Sequence, residues 1–292
     1  MAVVGIPIDC TGRFIGVERM PSALRTAGLV QQLSAKDVGD LPVTIDDSRR
    51  DSTTGIIGFQ SVCAASAAIR AGVGDILRRG ERPFVVGGCC TLLIGVFAAL
   101  RDHIGQVGLA FVDGHLDFYD GRSSPTGEAA DMDLAILTGY GPLGLVDLAG
   151  PPPLVEPGIV VVMGYRDAEA AAGHGSPDPT VIAPRMTLYD AKSIRRRGPA
   201  FVGQQVGRRL IASTGRFWLH LDFDVLDERV MPAVDYPQPD GLEWDELRHL
   251  VHPLTKSSGL LGADVTIYNP VHDKDGIYAK RIVGFLDHLF TA

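Results

Sequence analysis

The sequence is poor in cysteine. Only four cysteines occur in 292 residues, and their spacing is irregular. A stabilising framework of disulfides needs more cysteines at regular spacing, so this class of small secreted fold is excluded. We therefore expect a reducing, cytoplasmic setting. The four positions are Cys10, Cys63, Cys89 and Cys90.

An excess of basic charge is also missing, because the formal net charge is -8. Nucleic-acid binding needs clustered Lys and Arg to neutralise phosphates, so we expect no nucleic-acid partner. The one dense basic run, residues 195–197, lies in a stretch with helical periodicity. We interpret this run as the solvated face of a helix.

Long apolar runs are absent as well. No segment reaches the roughly 18 to 20 unbroken apolar residues that span a bilayer, so we expect no membrane partner. The first residues, MAVVGIPID, lack the basic start and cleavage site of a signal peptide and predict a first β-strand. These patterns together predict a soluble, cytoplasmic protein.

Short apolar runs alternate with helical patterns along the whole chain. Continuous apolar strands separated by helices are typical of a parallel sheet covered on both faces. Helical periodicity is clearest over residues 61–79, 92–103 and 199–213. We predict one domain over residues 1–292, an α/β fold of three layers, α/β/α, around a mostly parallel sheet. The predicted strands are AVVGIPI, PFVVGG, VGLAFVD, GIVVVMGY, RFWLHLD and GLLGADVTIY.

Acidic residues and one histidine follow two of these strands. Asp113, His115 and Asp117 come directly after VGLAFV, and Asp222 and Asp224 end the run that begins FWLHL. A spacing of two sends side chains to the same side of an extended segment. Parallel α/β sheets bind ligands at the carboxyl ends of their strands. We therefore expect these side chains to meet.

Each aspartate alone is most simply a turn or helix cap. Together, however, four carboxylates within a few ångströms cannot all stay ionised without a compensating cation. Carboxylates with one imidazole suit Mn²⁺ and, less well, Zn²⁺, Fe²⁺ or Ni²⁺. Such an ion makes a nucleophile from water, so the sequence predicts a metallohydrolase of one or two ions. His115 and Asp117 are the catalytic candidates, with Asp117 ligating or orienting the water.

The two motifs, in this order, resemble those of the ureohydrolase family, which comprises arginases, agmatinases and formiminoglutamases. The family's DAHxD motif corresponds to residues 113–117, and its SxDxDxxDP motif corresponds to residues 220–228. Weaker similarities run almost end to end. They are Gly16-Val17-Glu18 with Pro21 and Leu24-Arg25, Gly87-Gly88, Gly164-Tyr165-Arg166-Asp167, and Asn269-Pro270.

This resemblance implies a dinuclear manganese site in which Asp113 and Asp222 bridge the ions. His115 and Asp224 would complete one ion's ligands, and Asp117 would belong to the other. It also implies hydrolysis at the trigonal carbon of a small guanidine or amidine substrate. Members of the family usually form homo-oligomers, either trimers or hexamers.

The chain departs from the family pattern at the metal. The family's GGDHS segment reads GGCCT over residues 87–91, so that Cys90 takes the place of a ligand histidine. A thiolate binds softer ions, whereas manganese prefers oxygen and nitrogen. Cys90 is thus either a metal ligand or a packing residue, and Cys89 is interpreted as a packing residue.

Substrate contacts differ too. Ile267 replaces the family glutamate that pairs with the guanidinium, which predicts against ordinary arginase activity. In the loop 124–130, Thr126 aligns with a serine, Glu128 with an asparagine that contacts a carboxylate, and Ala130 with a histidine that moves protons. Glu128 is expected to repel a carboxylate and favour a cationic tail. We take Thr126, Glu128 and Asp227 as candidate substrate contacts.

Three functions follow as hypotheses. The first is a metal-dependent hydrolase of a non-peptide C–N bond in a small linear amidine, a modified guanidine such as a hydroxyguanidino compound, or an amide. The second is an amide deacylase with a single ion, in which Cys90 only packs. The third is a family member without catalysis that serves as a binding or assembly protein.

Overall fold

A computed structural model describes residues 1–291 of the chain. Its centre is a sheet of eight strands in the order β2-β1-β3-β8-β7-β4-β5-β6, and every neighbouring pair is parallel. The strands are β1 Ala2–Ile6, β2 Lys36–Asp40, β3 Pro83–Gly87, β4 Gly108–Val112, β5 Val160–Met163, β6 Thr187–Tyr189, β7 Phe217–Asp222 and β8 Leu260–Thr266.

Helices cover both faces of this sheet. Every residue of β1, β3, β4, β5 and β7 is buried, as expected for strands enclosed on two sides. The predicted α/β architecture with a central parallel sheet is therefore confirmed. The α-helices are α1 Met20–Thr26, α2 Leu29–Gln32, α3 Phe59–Arg78, α4 Leu92–His103, α5 Asp133–Leu137, α6 Ala168–Gly173, α7 Pro179–Ile182, α8 Ala191–Arg197, α9 Pro199–Thr214, α10 Trp244–Thr255 and α11 Ile277–Phe290.

The sequence patterns located six strands and missed the two at the sheet edges. Strand β2 reads KDVGD and is mostly exposed, so it lacks the apolar run that marks a buried strand. Strand β6 has only three residues. The three predicted helices are present as α3, α4 and α9, with ends that shift by at most two residues.

Close helix packing depends on glycine at two contacts. A Cβ on Gly95 of α4 would lie 2.6 Å from the carbonyl oxygen of Ser66 in α3. A Cβ on Gly203 of α9 would lie 2.0 Å from the carbonyl oxygen of Leu250 in α10. Both distances are too short for any side chain, so glycine permits the approach of each helix pair.

Strand order brings the two acidic motifs together. Strands β4 and β7 are neighbours, with Val112 opposite Leu221, so Asp113 and Asp222 leave the sheet side by side.

Elsewhere, the basic run 195–197 is exposed at the end of α8, as predicted. None of the helices in residues 1–291 has the length and apolar character needed to cross a membrane.

Candidate metal centre and its cavity

A cavity of about 240 Å³ opens at the carboxyl ends of β3, β4 and β7. Most of the residues predicted from the sequence meet there. Asp222 does not line the cavity but is fully buried, with its Oδ2 2.8 Å from Sγ of Cys90, which does. Those that line the cavity are Cys90, Asp113, His115, Asp117, Thr126, Glu128 and Asp224.

The segment after β4 turns its ligand-type side chains inward. The carboxylate of Asp113 accepts a hydrogen bond from the backbone N–H of His115 at 2.7 Å. His115 Nδ1 lies 3.0 Å from Asp224 Oδ2 and 3.6 Å from Asp113 Oδ1. Asp117 has a φ of 46°, in the left-handed region that aspartate tolerates better than most residues. This turn places its carboxylate beside the others.

A short 3₁₀ helix, Phe223–Val225, orients the second motif. Asp222 caps it by accepting the backbone N–H of Asp224 at 2.8 Å, and it also accepts the hydroxyl of Thr266 at 2.8 Å. Asp224 in turn accepts the backbone N–H of Gly114 at 3.1 Å. These bonds join the tips of β4 and β7.

Arg166 and Asp167, which belong to one of the weaker sequence similarities, also stabilise the ends of β4 and β7. The guanidinium of Arg166 donates to the carbonyl oxygen of Asp224 at 2.7 Å, and Asp167 accepts the backbone N–H of Leu116 at 3.0 Å. Burial raises the pKa of Asp167 to about 6, and the negative charge of Asp113 adds to this. Arg166 and Asp167 therefore support the centre through hydrogen bonds to its backbone.

Crowding raises the pKa of several carboxyl groups in the centre. Burial raises the pKa of Asp117 well above its usual value, and the charges of Asp113 and Asp133 add to this rise. Burial likewise raises the pKa of Asp222. Burial acts in the same direction on Asp113, but hydrogen bonds with His115 and His220 outweigh it and lower this pKa. The centre is therefore short of positive charge.

Cys90 lies close to two carboxylates of the centre. Its Sγ atom is 2.8 Å from Asp222 Oδ2 and 3.9 Å from Asp113 Oδ2. Burial and the negative charges of these two aspartates raise the pKa of its thiol well above the ordinary value. Of the two roles left open by the sequence, this position is compatible with a metal ligand.

His220 is a member of the centre that the sequence reasoning did not assign as a ligand. Its Nε2 lies 3.4 Å from Asp113 Oδ2, and its Nδ1 lies 2.5 Å from Asp264 Oδ2. The indole N–H of Trp218 donates to the other oxygen of Asp264 at 2.5 Å. Trp218, His220 and Asp222 alternate along β7, and this spacing of two was the available signal.

Asp133, at the start of α5, is a second residue that was missed. Its side chain is fully buried, and neither carboxylate oxygen has a hydrogen-bond partner among the described residues. Burial raises its pKa well above the usual value, and the charge of Asp113 contributes. Leaving such a group unpaired in the interior is costly, so its position is one that a nearby cation stabilises.

Three groups of ligand-type atoms fit divalent metal ions. Within each group all ligand atoms lie within 4.8 Å of one another. Asp113 is shared by two of the groups, and Cys90 is shared by two. The donors are carboxylate, imidazole and thiol, which are the ligands of first-row divalent metals. The groups are Cys90, Asp113, His220 and Asp222; Cys90, Asp117 and Asp133; and Asp113, His115 and Asp224.

The outer part of the cavity is acidic. Glu128 accepts the hydroxyl of Tyr236 at 2.6 Å and the thiol of Cys10 at 3.3 Å. Thr126 donates its hydroxyl to Asp131 at 2.7 Å. None of the described residues that line the cavity is Lys or Arg. Its eight carboxylate residues are Asp9, Asp113, Asp117, Glu128, Asp131, Asp167, Asp224 and Asp235.

Ile267 occupies the cavity wall immediately after β8. It is buried and has a φ of 70°, which is a rare conformation for a β-branched residue. Its backbone N–H donates to the carbonyl oxygen of Gly88 at 2.8 Å. Its side chain offers an apolar surface, and Ala130 adds another. The wall at these two positions therefore supplies neither a carboxylate nor a proton carrier.

The prediction that Asp227 contacts the substrate needs a correction. Asp227 does not line the cavity. Its carboxylate accepts the backbone N–H of Arg229 at 3.0 Å and the guanidinium of the same residue at 2.6 Å. These bonds stabilise the turn after the second motif, where an aspartate side chain reaches its own backbone more readily than a distant cavity.

Comparisons with known proteins agree with this geometry. The sequence profile described as Arginase family matches residues 1–290. An arginase of Brevibacillus brevis is 28% identical over 99% of this chain and 97% of that protein. The structure of an arginase from Bacillus caldovelox superposes with a TM-score of 0.90 at 26% identity, covering 100% of this chain and 98% of that one. An agmatine ureohydrolase of Thermoplasma volcanium shares the fold, with a TM-score of 0.71 and 22% identity over 99% of this chain and 87% of that one.

Proposed function

The chain belongs to the arginase family, and from this premise we propose that it is a metal-dependent hydrolase of a C–N bond in a small cationic amidine or modified guanidine. The observation that carries this proposal is the pair of ligand groups sharing Asp113 at the floor of an acidic cavity. A divalent ion held there supplies Lewis acidity and a nucleophile derived from water at neutral pH.

The chain's own residues have distinct roles in this reaction. Asp113, Asp224 and His115, through its Nδ1, would hold one ion, and Asp222 lies with Asp113 in the neighbouring ligand group. The amide of Gln238 lies 2.8 Å from His115 Nε2 and limits rotation of the ring. Asp117 lines the cavity beside this group and would orient the attacking water and exchange a proton with it.

The acidic wall favours a substrate tail of positive charge. Apart from Asp113, Asp117 and Asp224, five carboxylate residues line the cavity, and none of the described lining residues is Lys or Arg, so a cationic tail gains attraction and a carboxylate tail meets repulsion. Glu128 is the principal selector in this proposal, because Tyr236 holds its carboxylate toward the cavity. Thr126 supports the same loop through Asp131.

We also propose that ordinary arginase activity is weak, even though relatives of this chain bear the name arginase. Two features support this. Glu128 repels the carboxylate of an amino-acid substrate, and the apolar side chain of Ile267 offers no partner to a guanidinium. A guanidinium placed against Ile267 would lose hydration without gaining a hydrogen bond.

The test is a substrate screen of the purified protein supplemented with Mn²⁺, Zn²⁺ or Co²⁺, with release of urea or ammonia as the readout. Cationic amidines, and agmatine because it lacks the carboxylate that Glu128 repels, are expected to be cleaved with a higher kcat/KM than L-arginine. Glu128→Gln should narrow this gap, while Asp245→Asn on the exposed face of α10 should leave it unchanged. Equal cleavage of agmatine and L-arginine would contradict the proposed selectivity. A metal-loaded protein inert toward every compound would contradict hydrolysis itself and favour a binding role.

An amide deacylase with one ion is a second candidate. The group Asp113, His115 and Asp224 is complete without Cys90, and this observation favours a single-ion site. Acylated amines in the same screen separate the two reactions. Release of an amine and a carboxylate, without urea or ammonia from amidines, would support the deacylase.

A further inference from the structure

The deepest ligand group of the centre combines a thiol with an imidazole. Cys90, Asp113, His220 and Asp222 are all buried, and one ligand atom of each lies within 4.8 Å of the others. We propose that these four residues form a thiolate-containing site that takes zinc in preference to manganese. This inference rests on the proposed metal dependence and is independent of the substrate.

The distances within this group fit one small ion. In a tetrahedral zinc site with bonds of about 2.0 to 2.3 Å, neighbouring ligand atoms are roughly 3.3 to 3.8 Å apart. His220 Nε2 and Asp113 Oδ2 are 3.4 Å apart, and Cys90 Sγ lies 3.9 Å from the same oxygen. Cys90 Sγ lies closer to Asp222 Oδ2, at 2.8 Å, and its thiol donates to that carboxylate. Zinc binding replaces this thiol proton, which leaves to solvent.

His220 is held in the orientation of a ligand. The register of β7 and β8 sets His220 opposite Asp264, and a carboxylate can only accept, so Nδ1 is the donor to it. Nε2 then faces Asp113 and the thiol. A carboxylate behind a histidine is the usual arrangement around metal-ligating imidazoles, because it fixes the tautomer and the ring. The indole N–H of Trp218 donates to Asp264 and so fixes the orientation of its carboxylate.

The two neighbouring ligand groups differ in the metal ions that their ligands prefer. Thiolate and imidazole suit zinc, whereas manganese prefers carboxylate oxygens and water. The neighbouring group of Asp113, His115 and Asp224 contains no sulfur. Zinc at the thiolate site is therefore compatible with a harder ion at the other.

Asp133, in the adjoining group with Cys90 and Asp117, gives an independent indication of a cation close to Cys90. A carboxylate oxygen of Asp133 lies within 4.8 Å of Cys90 Sγ and of the Asp117 carboxylate. Both of its oxygens are buried and have no hydrogen-bond partner among residues 1–291. A carboxylate in this state is stabilised by positive charge close to Cys90.

The test uses cobalt as a spectroscopic substitute for zinc in the full-length protein. Cobalt bound by a thiolate gives an intense near-ultraviolet charge-transfer absorption, which oxygen and nitrogen ligands do not give. The wild-type protein should show this band, and added zinc should abolish it by displacement. Cys90→Ser should lose the band, and the matched variant Cys89→Ser should retain it, because Cys89 belongs to none of the ligand groups.

Affinities complete the test. Cys90→Ser should weaken zinc binding by about tenfold or more and leave manganese binding within about threefold of the wild type, since only zinc gains from sulfur. Wild-type protein that binds cobalt without the band would overturn the proposal, and this measurement needs no variant to fold. A band without any hydrolysis would refute only the proposed reaction. Hydrolysis by a cobalt protein without the band would refute only the thiolate site.

Discussion

His220 and Asp264 face each other across β7 and β8, with the imidazole Nδ1 2.5 Å from the carboxylate Oδ2. Both side chains are fully buried. Burial alone lowers the pKa of His220, but the charges of Asp264 and Asp113 outweigh it and raise this pKa above the ordinary value. Asp264 is therefore a positioning residue for a histidine at the floor of the centre.

Asp264→Asn is expected to weaken zinc binding by roughly 10- to 100-fold, because the carboxylate behind a metal-ligating histidine orients it and increases its basicity. Competition with a chromophoric chelator measures this affinity. Trp218→Phe keeps an aromatic ring and the His220–Asp264 pair but removes the indole N–H donor to Asp264 and some buried volume, so its effect on zinc affinity should be smaller. Unchanged zinc affinity in Asp264→Asn would refute the positioning role.

Asp113→Ala should abolish metal content and activity, and Asp222→Ala should abolish activity and lose the ion held with Cys90 and His220. Asp113 belongs to two ligand groups, and Asp222 joins Cys90 and His220 in one of them. Elemental analysis of the wild-type protein should give near two ions per chain, and a value near one would favour the single-ion alternative. Asp245→Asn, on an exposed carboxylate of α10, is the control and should keep both ions. Metal bound to Asp113→Ala, or a full metal content in Asp222→Ala, would contradict the assignment.

Ile267→Glu should increase kcat/KM for guanidine substrates by roughly 10- to 100-fold, since a hydrogen bond to a charged partner contributes about 1.5 to 3 kcal/mol. The residue lines the cavity, so the new carboxylate would face a bound guanidinium. Ile267→Gln introduces a side chain of nearly the same shape as glutamate but without its charge. It should therefore increase kcat/KM only slightly. Equal gains in the two variants would show that charge at this position is irrelevant.

Asp131 should make the stability of the fold depend on pH. Burial raises its pKa to about 6, although the hydroxyls of Ser124 and Thr126 oppose this rise. The unfolded value is about 3.9, so the folded state binds the proton more tightly. Its contribution is therefore full below about pH 4 and is lost as the pH rises through 6, with a cost of at most about 3 kcal/mol.

Asp131→Asn removes this titration while retaining an acceptor for the two hydroxyls. Urea unfolding of both proteins from pH 4 to 8 should give equal stability at the acidic end. The variant should have the larger free energy of unfolding above pH 6. A difference between the proteins that stays constant across this range would contradict the assigned pKa.

The fold class and the acidic half of the centre could be predicted from the residues alone. Apolar runs alternating with helical periodicity predicted a parallel α/β sheet, because burial on both faces leaves that pattern in the residues themselves. The spacing of two in each motif predicted that Asp113, His115 and Asp117 share one side, and that Asp222 and Asp224 do so as well. These are local properties of an extended chain.

The other residues of the centre are brought in by the order of the strands and the packing of the chain. Strand β8 is the last in sequence, yet it lies between β3 and β7, and this order alone brings Asp264 beside His220. The carboxylate of Asp133 lies near Cys90, although the two residues are 43 positions apart in the sequence. Asp227 instead bonds its neighbour Arg229. Periodicity specifies the direction of a side chain from its own strand, whereas the distance between strands depends on how the whole sheet is assembled.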